Sequence, residues 1–352
     1  MAAGYHRRML PHRPTRSSFQ LAIVLLLGPA LLGALTAWSG DRSPLAALVL
    51  WAEPLLLFGA LYTLGWLLWD RRPLPALALI LGGVAGGAIL RVPPVGSSPV
   101  AAEPPWAERL RGCTKLPDPV RQPIRVLTWT MDDSTATLAD FRERHVDLAI
   151  LVGLESPRLA EQWADDIRGE ALFLPATATS ESMALVVRGA FQYCAGKEDS
   201  WDIPLPVGEG ERGRAVLTFP EIQDAGVVPF VAVQMPQPGA PGSWSGWSSR
   251  LVDSAQTIGA LSHTLDPRRV VVAGDFHAPR TFRELAAPLL GAGLTEVNVP
   301  ASWPGPTAGL HALDRVWTGG AWRPLSTWRL SAQGHSRAPL LVDLAPANAQ
   351  AR

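Results

Sequence analysis

The sequence predicts an α/β domain of two packed sheets flanked by helices, set behind an α-helical membrane anchor. Three observations carry this. Long uncharged runs fill the first 90 residues, a Pro-rich stretch follows, and from Ile124 short apolar runs alternate with amphipathic ones. At 352 residues the chain exceeds the roughly 150 expected of one domain, so a large domain plus a second part is the natural division.

The anchor comes first. "LAIVLLLGPALLGALTAW" (Leu21 to Trp38) has no charge, "LAALVLWAEPLLLFGALYTLGWLLW" (Leu45 to Trp69) has only Glu53, and "LPALALILGGVAGGAIL" (Leu74 to Leu90) has none. At about 1.5 Å per residue each nears the length of a bilayer core, and residues 21–91 are read as three transmembrane helices. A cleaved leader would account for the first run alone, since Arg7, Arg8, Arg13 and Arg16 precede it, but not for two more. The same four arginines make residues 1–20 a basic cytoplasmic tail. By the positive-inside rule, three crossings place everything after Arg91 on the extracytoplasmic face. Cys113 and Cys194 both fall there, where a disulfide or two buried thiols are equally open.

Residues 92–123 ("RVPPVGSSPVAAEPPW" and onward) form a Pro-rich linker that favours extended chain. The domain then runs from 124 to 345, with 346–352 as a tail. "IRVLTW" and "VDLAILVGL" read as strands, with "TLADFRERH" and "PRLAEQWADDI" as helices between and after them. "SMALVVRG", "GRAVLTF" and "VPFVAVQMP" continue as short strands. "SSRLVDSAQTIGALSHTL" is a helix leading to the strand "VVVAGD", "RTFRELAAPLLGAG" is another helix with a glycine cap, and "ALDRVWTGG" and "PLLVDLA" close as strands. Many short strands with few long helices point to two sheets rather than one doubly wound sheet. The intervening "PGAPGSWSGWSSR" reads as an exposed loop carrying Trp244 and Trp247, which could stack on a ligand or touch a membrane interface.

Formal net charge is zero, which speaks against duplex nucleic acid as the main partner and leaves a phosphoester or other anionic ligand bound locally. No P-loop, CxxC pair or GxSxG elbow is present.

The ordered set "RRVVVAGDFHAPRTFRELAAPL" and "SWPGPTAGLHALDRVWTGGAWRPLSTWRLSAQGHSRAPLLVDL" resembles the endonuclease/exonuclease/phosphatase superfamily, from Ile124 to Ala345. The resemblance implies a four-layer α/β sandwich and divalent-metal-dependent phosphoester hydrolysis, with Mg²⁺ or Mn²⁺ as the cofactor. It also implies site residues. Asp275 matches the carboxylate that places the attacking water, and His277 stands where an Asn would contact the phosphate. Asp314 matches the carboxylate that orients the catalytic His. Arg337 stands at that His, with Ser336 at the Asp before it, and Gln234 at a mid-chain His. The first two strands offer Thr130 and Gly153 in place of an Asn and a Glu, so the metal set expected is Asp275 with Asp132 and Glu155, each two residues further along its strand. An Arg at the His position cannot act as a base near neutral pH, and a salt bridge between Arg337 and Asp314, or a contact from Arg337 to a bound anion, is the expected substitute. Two outcomes therefore stand open: a rebuilt hydrolytic site that uses Mg²⁺ or Mn²⁺, or an inactive, metal-free member serving as an anchored binding or scaffolding module.

Overall fold

The computed structural model describes residues 73–91, 122–131, 145–192, 200–208, 211–223, 225–237, 244–278, 283–299, 313–330 and 337–347, with scattered helical positions between 20 and 69. The expected first two spans lie mostly outside the described residues, as do Asp132, Ser336, Cys113, Cys194 and the expected helix "TLADFRERH".

The chain divides into two compact units. In the first, helix α1 (Pro73–Arg91) coincides with the third expected span. Its residues Leu74, Leu77, Leu81 and Val84, spaced three and four apart on one face, are exposed, while Ala76, Ala78 and Leu79 are buried. Tyr62, Leu64, Trp66 and Trp69 on the preceding helical stretch are exposed as well. Side chains of α1 are described only over 73–85, and among the described residues no helix is long and apolar enough to cross a membrane.

The second unit is an α/β sandwich. One sheet has the order β14 (Trp322–Arg329), β15 (Leu340–Pro346), β1 (Ile124–Thr130), β2 (Leu148–Val152), β4 (Met183–Val187), β3 (Glu170–Leu174). The other runs β12 (Thr295–Glu296), β13 (Asp314–Thr318), β11 (Val271–Asp275), β10 (Phe230–Gln234), β7 (Arg214–Thr218), β6 (Ser200–Ile203). A small third sheet joins β5 (Gly189–Phe191), β8 (Pro220–Ile222) and β9 (Gly226–Val227). Both large sheets are mixed: β1 runs parallel to β2 and β10 parallel to β11, while their other pairs are antiparallel. A parallel pair needs a crossover, and helix α3 (Trp244–Thr264) provides the one between β10 and β11.

Side-chain alternation builds the layers. Ile124, Val126, Ile150 and Leu185 of the first sheet meet Val216, Phe230, Ala232, Val271, Ala273 and Val316 of the second in one core. Residues of opposite parity, Leu127, Trp129, Leu151 and Val186, face outward and pack on Ala160, Trp163 and Ala164 of helix α2 (Pro157–Ile167). Pro157 suits the first turn of α2, where its missing N–H costs nothing, and Arg168 ends the helix in the left-handed region at φ 57°. Helix α4 (Arg283–Gly291) approaches α3 closely: a Cβ at Gly259 would lie 2.9 Å from the Pro288 carbonyl oxygen. The two-sheet expectation therefore holds, with helices on the flanks.

One expectation fails. Helix α3 begins at Trp244, so the supposed exposed loop already winds as helix, and Trp247 is fully buried with its indole Nε1 donating to the Pro236 carbonyl at 2.7 Å. Burial of that large ring outweighs the weak helix propensity of the Ser/Gly run around it.

Candidate functional site at the end of the sandwich

The core-facing parity that puts Ile124 and Val126 inside puts Thr130 inside too, at the last position of β1. The same parity turns Arg214, Gln234, Asp275 and Asp314 inward at one end of the second sheet. These four stand in register across neighbouring strands: Arg214 opposite Gln234, Gln234 opposite Asp275, Asp275 opposite Asp314. Apolar residues fill the rows below, so the polar row caps the core, and all four side chains are buried.

Asp275 is fully buried and both of its oxygens are engaged. Oδ1 accepts the backbone N–H of His277 at 2.9 Å, an aspartate turn that helps hold His277 at φ 48°. Oδ2 accepts the Thr130 hydroxyl at 3.1 Å and a guanidinium N–H from Arg337. Arg337 lies just before β15 and is placed there by β15 running antiparallel beside β1; its carbonyl accepts the Trp129 indole N–H at 3.1 Å. The approach of β11 to β10 leaves no space for a side chain at Gly274, whose φ of 142° would place a Cβ 1.9 Å from the Val233 carbonyl oxygen.

His277 is buried as well. Its Nδ1 lies 3.3 Å from Arg337 Nη2, and because a guanidinium only donates, Nδ1 must accept, leaving the proton on Nε2. Burial lowers the imidazole pKa to about 4, Asp275 opposing and Arg337 adding to the shift, so the ring is neutral at pH 7. Nε2 sits 3.1 Å from Asp275 Oδ2, close enough for attraction but outside hydrogen-bond alignment. For Asp275, burial opposes ionisation, yet Arg337, His277 and the backbone N–H together hold its pKa below the usual carboxylate value.

Asp314 is not the ion-pair partner expected for Arg337. Its Oδ1 lies 3.2 Å from the Thr130 hydroxyl and its Oδ2 lies 3.6 Å from Arg329 Nη1, while the close ion pair of Arg337 goes to Asp275. Burial and the neighbouring Asp275 charge raise the Asp314 pKa to about 6, against the pull of Arg329, Arg337 and Thr130. Asp314 instead has Arg329 as its cationic neighbour, and the Thr130 hydroxyl lies between the two carboxylates. Arg329 went unnoticed in the sequence because its strand contains Pro324 and has exposed residues along much of its length.

Gln234 accepts the Glu181 backbone N–H through Oε1 at 3.3 Å, while its buried Nε2 has no hydrogen-bond partner among the described residues. Arg214, beside it, points Nη1 at the carbonyls of Leu174, Pro175 and Glu181 at 3.1 to 3.4 Å. Its inward parity at the start of β7 was the available signal.

A cavity of about 350 Å³ opens onto this row, and Thr130, Glu155, Glu181, Arg212, His277 and Arg337 are among the residues lining it. Glu155 is exposed at the cavity. Gly153, the position where the family resemblance implies a glutamate, has φ 83°, and a Cβ there would lie 2.5 Å from the Met131 carbonyl oxygen.

The residues present do not fit a divalent cation. Asp275 spends both oxygens on hydrogens, Arg337 brings a positive charge to the oxygen a metal would need, and Gly153 has no room for a ligand-bearing side chain. Among the described residues no group of three His, Cys, Asp or Glu side chains converges on a metal position. Of the expected set, Asp275 is fully buried, Glu155 is exposed on the cavity wall, and Asp132 lies outside the described residues.

No protein-family model and no curated protein sequence matches the chain. Solved structures are similar to it in fold. An endonuclease/exonuclease/phosphatase from Beutenbergia cavernae is 18% identical, with 64% of this chain and 72% of that one covered and a TM-score of 0.49. A family protein of the same description from Bacteroides thetaiotaomicron is 10% identical, covering 64% and 98%, with a TM-score of 0.46. The human nocturnin catalytic domain with bound sulfate is 15% identical, covering 65% and 97%, with a TM-score of 0.45.

Proposed function

We propose that this is a membrane-anchored protein whose extracytoplasmic domain has the sandwich of metal-dependent phosphoester hydrolases but binds an anionic, phosphate-bearing ligand without hydrolysing it. The observation that carries the reading is the buried ion pair between Arg337 and Asp275. It occupies the carboxylate that would otherwise place a water or a cation, and an arginine cannot take up the proton that a general base must accept. On a wall that also carries Glu155 and Glu181, the cavity offers an anion two guanidinium groups, Arg212 and Arg337, and a neutral His277 whose Nε2 carries a proton. The exposed apolar stripe of α1 supports the anchor, and the arginines of the tail support a cytoplasmic N-terminus.

A second reading keeps hydrolysis. Glu155 shares the cavity with Thr130, His277 and a second carboxylate, Glu181, so carboxylates do face the ligand space, and Glu155 could pair with Asp132 around Mg²⁺ or Mn²⁺. One experiment separates the two. The purified full-length chain is assayed with bis(p-nitrophenyl) phosphate in millimolar Mg²⁺ or Mn²⁺, and inorganic phosphate is titrated calorimetrically into the same protein. Saturable phosphate binding, weakened about tenfold by Arg212→Ala, with no metal-dependent turnover, is the expected result. Turnover that requires metal and vanishes in Asp275→Ala establishes the hydrolase instead.

A further inference from the structure

We propose that the ligand of this cavity is a zwitterion, a phosphoester that carries a primary amine on a short spacer, with the phosphate held at Arg337 and His277 and the ammonium at Glu155. The proposal deepens the phosphate-binding reading above and rests on it.

Strand order gives the cavity two ends. The lining residues of the first sheet stand where strands enter or leave one end of the sandwich: Arg337 before β15, Thr130 closing β1, Glu155 after β2 and Glu181 before β4. Those strands neighbour one another in that order, so the side chains follow one another across the cavity in the same order. At ~4.8 Å per strand, the strand that carries Glu155 lies about 10 Å from that of Arg337, and the strand of Glu181 about 14 Å. Contacts across the sandwich keep the order: Thr130 meets Asp275 of β11, whereas the Glu181 backbone meets Gln234 of β10. His277 follows β11, and Arg212 precedes β7, the strand beyond β10. Arg337 and His277 therefore mark one end, Glu181 and Arg212 the other, with Glu155 between them.

The charges are unevenly matched. Arg337 is bound to Asp275, and Arg212 lies 4.0 Å from Glu181. Glu155 has no ion-pair partner among the described residues, so the wall and the aspartate behind it carry one negative charge in excess. A simple phosphate enters against that excess, whereas a ligand that brings its own cation cancels it. At the first end a donor is already waiting. His277 is buried on the cavity wall, and its Nε2 has no hydrogen-bond partner among the described residues, so a ligand oxygen there satisfies a group that burial otherwise penalises. In the middle, the exposed Glu155 carboxylate offers only acceptors, which suits the three donors of an ammonium. The cavity, at about 350 Å³, has room for both groups.

The test titrates the full-length chain calorimetrically, in chelator, with four probes: inorganic phosphate, glycerol 1-phosphate, O-phosphoethanolamine and glycerophosphoethanolamine. The better of the two amine-bearing probes is expected to bind about tenfold tighter than glycerol 1-phosphate. Which of the two it is names the source, a free monoester for O-phosphoethanolamine and a lipid headgroup for the diester. Glu155→Gln, a change at an exposed position, is expected to bring the ratio of affinities for amine-bearing and amine-free probes towards one. Equal or weaker affinity of wild type for both amine-bearing probes, or a preference that Glu155→Gln leaves intact, overturns this inference and leaves the phosphate-binding reading standing. Absence of binding by every probe, inorganic phosphate included, overturns both.

Discussion

Thr130 and Asp314 stand 3.2 Å apart, oxygen to oxygen, and the single hydroxyl proton between them is also claimed by Asp275 at 3.1 Å. Thr130 can donate to only one of them. Below about pH 6, where Asp314 takes up a proton, Asp314 can donate to Thr130 and Thr130 to Asp275, which Arg337 holds ionised. The raised Asp314 pKa agrees with that arrangement.

The pH dependence of stability follows, with two opposing contributions. Asp314 has a folded pKa of about 6, above its unfolded value, so its contribution is full below about 4 and is lost as pH rises through 6. His277 has a folded pKa of about 4, below its unfolded value, so its contribution is full above about 6.5 and is lost as pH falls toward 4. Wild type is expected to show a nearly flat profile between pH 4 and 6 from this pair. His277→Gln should reveal stability falling as pH rises through that window, and Asp314→Asn should reveal stability rising. Each slope amounts to a few kcal/mol across the window, measured by urea denaturation at stepped pH.

Trp247 tests the start of α3. Its ring is fully buried and its indole donates to Pro236 at 2.7 Å, so Trp247→Ala should cost about 3 to 5 kcal/mol, and Trp247→Phe, which loses mainly the hydrogen bond, about 1 to 2. Denaturant melts of the two variants check the order.

Arg250 holds the turn that carries Arg212. It pairs through Nε and Nη2 with the buried Glu211, whose carboxylate also accepts the Gly208 N–H at 2.9 Å. Arg250→Ala leaves that carboxylate buried without its partner, at a cost of about 3 kcal/mol. Phosphate affinity should fall with it, although Arg250 does not line the cavity. Calorimetry on the folded variant measures the loss.

Leu81 tests the anchor, since it is exposed at the middle of the apolar stripe on α1. Leu81→Lys should reduce membrane integration by about 3 kcal/mol, seen as loss of protein from the alkali-resistant membrane fraction. Protease added to intact cells with a permeable outer layer should degrade the domain and spare the N-terminal tail if the topology is as proposed.

The sandwich was legible in the sequence because burial on two faces leaves a signature. "LAILV" and "VVAGD" are short continuous apolar runs, and such runs bounded by turns mark central strands. The resemblance of the motifs around them singled out Thr130, Gln234, Asp275 and Asp314, and all four stand at strand ends. Their pairing was not legible. Arg337 reaches Asp275 rather than Asp314 because of a side-chain path across two sheets, which strand period does not encode. The helical start at Trp244 was hidden for a related reason: a buried ring decided it, against local propensity.

Gly153 sets where the wall of the cavity can change. The left-handed backbone there, pressed against the Met131 carbonyl, means that any side chain at that position is strained and must push backbone aside. The clash is with a carbonyl rather than with a side chain that could swing away, so relief would require the turn itself to be rebuilt. What the cavity accepts is therefore left to the side chains around it, and the end of the second strand stays bare for as long as that turn keeps its shape.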